Sequence, residues 1–150
     1  MTGVQTCALP IYQIRLWSRR QSGKSAAEFE ITAPKILWVK ENEPDNFARI
    51  NKIMLPKDYI AYKLTGIHST DVSDASGMLL LDVKNRCWSE EMLGICGIRE
   101  AVMPGLYESS DVIGTLTKAA SEETGLPQSV KVIAGAGDNA AAAIGTAREP

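Results

Sequence analysis

A chain of 150 residues is long enough for one ordinary domain with its own core. Its 45% apolar and 23% charged residues are average for a soluble globular protein. Sixteen basic and eighteen acidic residues leave a net charge of −2 with no basic block, which argues against nucleic acid as a partner, and no apolar run reaches membrane-spanning length or forms a leader, so no membrane partner is expected.

Residues 1–30 are the least coherent stretch. Met1 to Ile11 resembles a translated sequencing adaptor, and Arg15 to Lys24 is basic, polar and without periodicity. The expectation is loop, disorder or artefact, with order beginning near Thr32. Thr32 suits a helix cap, Pro34 suits a first turn, and Ile36, Leu37 and Val39 supply an apolar side, so a helix is expected before Pro44. Trp38 reads as core packing within it. A short helix over Asp45 to Ile50 should turn Phe47 and Ile50 inward. Ile53-Met54-Leu55 reads as a buried strand.

Pro56 then opens a helix with Asp58 in its first turn, Lys63 in its last and Gly66 as its stop. Ile67 to Val83 carries β signals, including the apolar run Met78 to Leu81. The lone histidine, His68, falls there without a nucleophile partner and is expected to face solvent in a loop. Asp71 and Asp74 could suggest a metal pair, but in a Ser/Thr-rich turn local backbone bonding is the better reading. Ser89 should cap a helix to Cys96, stopped by Gly97. Val112 to Leu116 suggests a strand and Lys118 to Thr124 a helix ended by Gly125 and Pro127. The order Asp111-Val112-Ile113-Gly114-Thr115 is rejected as a phosphate loop, because it is one residue too long and misplaced. Strands alternating with helices argue an α/β fold. Cys7, Cys87 and Cys96 lack C-x-x-C spacing and suit reduced thiols in a cytoplasmic protein.

The chain closes with a strand over Val130 to Ala134, a glycine-spaced turn through Gly135 and Gly137, and an alanine-rich helix. Asp138 and Asn139 stand where that helix begins. Three readings are open. They are helix caps; or Gly135 to Ala140 is a G-x-G-x-x-A dinucleotide fingerprint, lacking the second strand and distant acid it needs; or Asp138 is a catalytic carboxylate at a strand end.

Several stretches together decide among these. Thr32 to Asn42, Leu55-Pro56-Lys57-Asp58-Tyr59, Leu64-Thr65-Gly66, Thr70 to Gly77, Trp88-Ser89 and Gly135 to Ala141 follow one another as in a known family. From Ile31 to Ala147 the chain resembles the sugar kinases named for an F-G-G-Y motif, and among them the xylulokinases. The resemblance implies an α/β domain of the ribonuclease-H/actin-like ATPase fold, here the later half of the family's N-terminal domain over residues 31–150, with residues 1–30 unmatched. It implies Asp138 as catalytic base, with Asn139 and Asp138 as substrate-binding residues. Gly135 and Gly137 would leave room for sugar and phosphate and are the cofactor-binding candidates. The implied reaction is transfer of the γ-phosphate of ATP to the terminal hydroxyl of a ketopentose, xylulose to xylulose 5-phosphate. ATP and Mg2+ are the implied cofactors of the complete enzyme, a small-molecule sugar its partner, and a homodimer is admitted. The chemistry suits a carboxylate: phosphoryl transfer needs a positioned hydroxyl and an acceptor for its proton, while Asn139 offers both a donor and an acceptor to sugar hydroxyls.

The departures set a further expectation. Nothing here matches the family's nucleotide-phosphate loop, its upstream Met-His sugar contact or its second domain, and Glu30 stands where related kinases have a small or aromatic residue. The chain is therefore expected to be a fragment, inactive alone. The rival from another class is a non-catalytic sugar-binding or regulatory protein of the actin-like fold.

Overall fold

The computed structural model describes residues 32–146. The expectations for residues 1–31, Glu30 and Cys7 among them, lie outside the described residues.

Local signals account for most of the helices. Helix α1 (Ala33–Asn42) has Pro34 in its first turn, and α2 (Pro44–Ala48) follows one residue later. Thr32 occupies the cap position of α1 but makes no side-chain cap bond; the Ala33 N–H donates instead to the Met78 carbonyl at 3.2 Å. Helix α3 (Pro56–Thr65) starts at its proline and stops at Gly66 in the left-handed region. Asp58 reaches back to accept from the Leu55 N–H at 3.2 Å. This is the acidic half of a capping box, with no hydroxyl at Leu55 to return the second bond.

Strand β1 (Ser69–Asp71) runs directly into α4 (Val72–Gly77), with Asp71 as its cap. The sequence suggested strand here. The Asp71 carboxylate, by taking the Ser73 and Asp74 N–H groups, makes a helix start of it. The apolar run that follows is broken by Leu79, whose φ of 63 lies in the left-handed region; only Leu81 enters a strand. That strand, β2 (Leu81–Asp82), pairs antiparallel with β3 (Cys87–Trp88). Helix α5 (Glu90–Cys96) is capped by the Ser89 hydroxyl and stopped by Gly97. After a 3-10 turn at Glu100–Val102, β4 (Gly105–Tyr107) lies parallel to β1 in the register Ser69↔Gly105 to Asp71↔Tyr107.

Strand β5 (Val112–Thr115), helix α6 (Lys118–Thr124) and β6 (Lys131–Ile133) follow, and β5 and β6 pair antiparallel. Helix α7 (Asp138–Thr146) ends the described chain. The expected strand at Ile53 to Leu55 does not form. The segment is extended and half-buried, and its bonds go to an isolated carbonyl and an imidazole: Ile53 N–H to Val102 O at 2.9 Å, and His68 Nε2 to Ile53 O at 2.8 Å. His68 is therefore half-buried and tied to the backbone, not facing solvent as expected.

The main core draws on α1 (Ala33, Ile36, Leu37), the run Met78 to Leu81, Trp88, α5 (Met92, Leu93, Cys96), Val102 and Met103. Met78, Leu80 and Met92 are fully buried. Trp38, expected in this core, is only half-buried and outside it. Burial pushes the Cys96 thiol up to about 11, so it stays protonated and unreactive. A second, smaller cluster joins Ala61 of α3, Ile113 of β5 and Ala134. Among the described residues no helix is long and apolar enough to cross a membrane.

Candidate functional site

Three helix starts converge where β6 ends, and each brings acid for its own local reason. Asp58 lies in the first turn of α3, Asp71 caps α4 with Asp74 in its first turn, and Asp138 opens α7. Carboxylates suit such positions because helix N-termini expose unpaired N–H groups and positive dipole ends. Brought together, the carboxylates repel, and Lys57 answers that repulsion. Its Nζ lies 2.8 Å from Asp58 Oδ1, 3.0 Å from Asp71 Oδ1 and 3.8 Å from Asp74 Oδ2. It also donates to the Ala134 carbonyl at the end of β6, at 3.1 Å.

Asp71 is fully buried and is the node of this network. Its Oδ2 accepts from the Ser73 N–H at 2.8 Å, the Ser73 hydroxyl, the Asp74 N–H at 3.3 Å and the Ser109 hydroxyl at 3.1 Å. The local backbone bonding expected of Asp71 is there, together with an ion pair that spacing did not suggest. Burial alone would raise its pKa, but the Ser73 hydroxyl and the Lys57 ammonium outweigh it and hold the carboxyl below the usual range. Burial likewise opposes the charge of Lys57, yet its bonds to Asp58 and Asp71 raise its pKa above the ordinary lysine value. Asp74 moves the other way. Burial lifts its pKa, Lys57 works against that, and the charges of Asp58, Asp71 and Asp138 add to the rise.

The glycine turn closes over this cluster. Gly135 has φ 78, and a Cβ there would stand 3.3 Å from Lys57 Cδ; a Cβ on Gly137 would stand 3.3 Å from Asp74 Oδ1. Gly135 is favoured by its left-handed backbone, and at both positions a side chain would press on the Lys57–Asp74 cluster before any ligand is considered. The Gly135 N–H donates to Ser109 O at 3.0 Å and the Gly137 N–H to Ser73 Oγ at 3.0 Å. Asp138 and Asn139 follow on the exposed first turn of α7, and the Asn139 N–H donates to Asp138 Oδ1 at 2.7 Å. The strand ahead of them pairs antiparallel with β5, not in the parallel β-α-β unit of a dinucleotide site.

The arrangement thus holds an exposed, ionisable carboxylate beside a tightly braced turn, a geometry suited to accepting a proton from a bound hydroxyl. Sequence reasoning named Asp138, Asn139, Gly135 and Gly137 together, and they are contiguous here. It missed Lys57, Asp58 and Ser73 as their support. One signal was available: Lys57 sits in the first turn of α3, where the helix dipole disfavours a cation, so a distant acid had to be compensating. Of Asp111 to Thr115, rejected as a phosphate loop, Val112 to Thr115 are strand β5 itself, and Asp111 Oδ2 accepts the Glu108 N–H at 2.9 Å.

Comparison with known proteins identifies the family. Residues 10–145 match the model of the N-terminal domain of the FGGY family of carbohydrate kinases, a match that starts well ahead of residue 31. The chain is 46% identical over 114 residues to a xylulose kinase of Escherichia coli K12, covering 76% of this chain and 23% of that protein. It is 40% identical over 154 residues to a xylulose kinase of Lactococcus lactis, covering 91% and 31%. Among solved structures, a xyloylose kinase from Brucella ovis superposes with a TM-score of 0.81 at 41% identity, over 91% of this chain and 28% of that one. A ligand-bound xylulose kinase from Lactobacillus acidophilus gives 0.79 at 28% identity, over 90% and 26%. The chain thus spans between a quarter and a third of the length of most of these relatives.

Proposed function

This chain belongs to the FGGY family of carbohydrate kinases, with the ribonuclease-H/actin-like fold of the family's N-terminal domain, and on that premise we propose that the whole protein is an ATP-dependent sugar kinase acting on a ketopentose. The substrate we propose is xylulose, phosphorylated at its terminal hydroxyl to xylulose 5-phosphate in the cytoplasm. The observation that carries the reading is the exposed Asp138 carboxylate on the first turn of α7, behind a turn braced by Lys57 and Ser73. The xylulose kinase names of the relatives support the choice of sugar.

In this mechanism Asp138 accepts the proton of the attacking hydroxyl, which leaves late in a loose transition state. Asn139 offers a donor and an acceptor to neighbouring sugar hydroxyls. Gly135 and Gly137 leave the approach beside Asp138 clear for phosphate. Lys57 neutralises no phosphate in this scheme, since its ammonium is already shared by three carboxylates. Among the described residues no group of three or more acids, histidines or cysteines is placed to hold a metal ion.

The test is a panel of xylulose, ribulose, gluconate, fuculose and glycerol with Mg-ATP and the full-length protein. Xylulose should give the highest kcat/KM; if glycerol or gluconate does, the ketopentose assignment is wrong and the kinase assignment survives. The 150-residue chain alone should show no turnover and no Mg-ATP binding by calorimetry, and a micromolar Kd would overturn that part.

A further inference from the structure

The first turn of α7 needs something other than apolar packing to hold it. None of the side chains of α7 is buried, and Ile144 is 78% exposed. Two polar contacts reach the preceding turn from α3 and α4: Lys57 Nζ to Ala134 O, and Gly137 N–H to Ser73 Oγ. The second also depends on Lys57, through its contact with Asp71. With Lys57 at 3.0 Å, Asp71 is a carboxylate and only accepts. The Ser73 hydroxyl proton therefore points to Asp71 Oδ2, which leaves the lone pairs of Ser73 for the Gly137 N–H. Without the ammonium, a protonated Asp71 could donate to Ser73 instead, and that preference would be lost.

Resting on the kinase reading above, we propose that Lys57 is a positioning residue of the reaction. Acting directly on Ala134 O, and through Asp71 and Ser73 on Gly137 N–H, it fixes both ends of the turn that aims Asp138. It touches neither substrate nor phosphate. A purely structural ion pair would share the burial and the distances, but its loss would lower stability without changing turnover per folded molecule.

The experiment uses the full-length protein with Lys57→Met, Lys57→Arg and Ser73→Ala. It reads kcat and KM per folded molecule, and hydrogen exchange in a peptide covering Ala134 to Asn139. Lys57→Met should lower kcat by about 10²-fold, the scale of a small misplacement at a reacting group, with KM for sugar and ATP little changed. Lys57→Arg should recover part of the loss, since it keeps the charge. Ser73→Ala, which leaves the lysine and its carboxylates in place, should lower kcat by about tenfold. In Lys57→Met and Ser73→Ala the 134–139 peptide should exchange about five- to tenfold faster, the effect of one lost net hydrogen bond. Wild-type kcat in the folded variants, a loss confined to KM, or unchanged exchange in that peptide would each overturn the proposal. If Lys57→Met does not fold, Ser73→Ala decides by the same two readouts. If the wild-type protein phosphorylates no sugar, the kinase reading fails; exchange then decides the positioning role alone, and unchanged exchange overturns it.

Discussion

The main core and the rim around α7 are held together by different forces. In the core, Met78, Leu80 and Met92 are removed from water completely and pack against α1 and α5. At the rim, Val112 and Ile133 face each other across the β5–β6 pair while about half-exposed, and α7 buries no side chain. Apolar burial supplies roughly 1.5–3 kcal/mol per large side chain and is indifferent to direction. The bonds of Lys57, Asp71 and Ser73 contribute less net free energy but specify orientation. The part of the molecule that carries the proposed base is built from the directional kind.

The sharpest test of that division is Asp138→Asn in the full-length protein. Because the side chain is exposed, the fold should tolerate the change, while kcat should fall by about 10²–10⁴-fold, the usual loss of a positioned base. Near-normal turnover at saturating ATP would remove Asp138 from the mechanism. On the other side of the comparison, Leu80→Ala should destabilise by about 2–5 kcal/mol in urea titration, whereas Ile144→Ala should stay within about 0.5 kcal/mol. Equal costs at the two sites would erase the distinction between core and rim.

A smaller effect is expected at α5, where Ser89→Ala removes the bond to the Met92 N–H and should cost about 0.5–2 kcal/mol. The smallest concerns the two acids of α4, whose pH responses should oppose each other. Asp71 is held below the ordinary range, so its stabilisation is full above that range and is lost as pH falls through the depressed value. Asp74 is raised, so its favourable contribution is present below the ordinary range and is lost as pH rises through the raised value. Asp74→Asn should therefore raise Tm slightly at neutral pH, with the gain fading on acidification. A gain that grows in acid would reverse the assigned direction.

What the sequence made legible follows the same physical divide. Helices α3 and α5 were readable at both ends, and α6 at its C-terminal end, because Pro56, Ser89, Gly66, Gly97 and Gly125 act on neighbours within a turn. The Asp138–Asn139 pair was readable for the same reason, at a strand-to-helix junction. Ile53 to Leu55 misled because an apolar run becomes a strand only with a partner, and its neighbours offer one carbonyl and one imidazole. The support of Asp138 was hidden because its bonds join residues 64 and 77 positions apart, a pairing that no local spacing encodes. Only a cation at the wrong end of a helix dipole hinted at it.

The longer of those separations also fixes an order in time. A ribosome adding roughly 5–20 residues per second makes Ala134 about 4–15 s after Lys57, the two being 77 positions apart. The residues of the main core, Ala33 to Met103, are all synthesised before the residue that Lys57 must grasp. A nascent chain interrupted between Met103 and Ala134 already has its whole main core, together with a lysine and three acids waiting for a turn that has not yet been made.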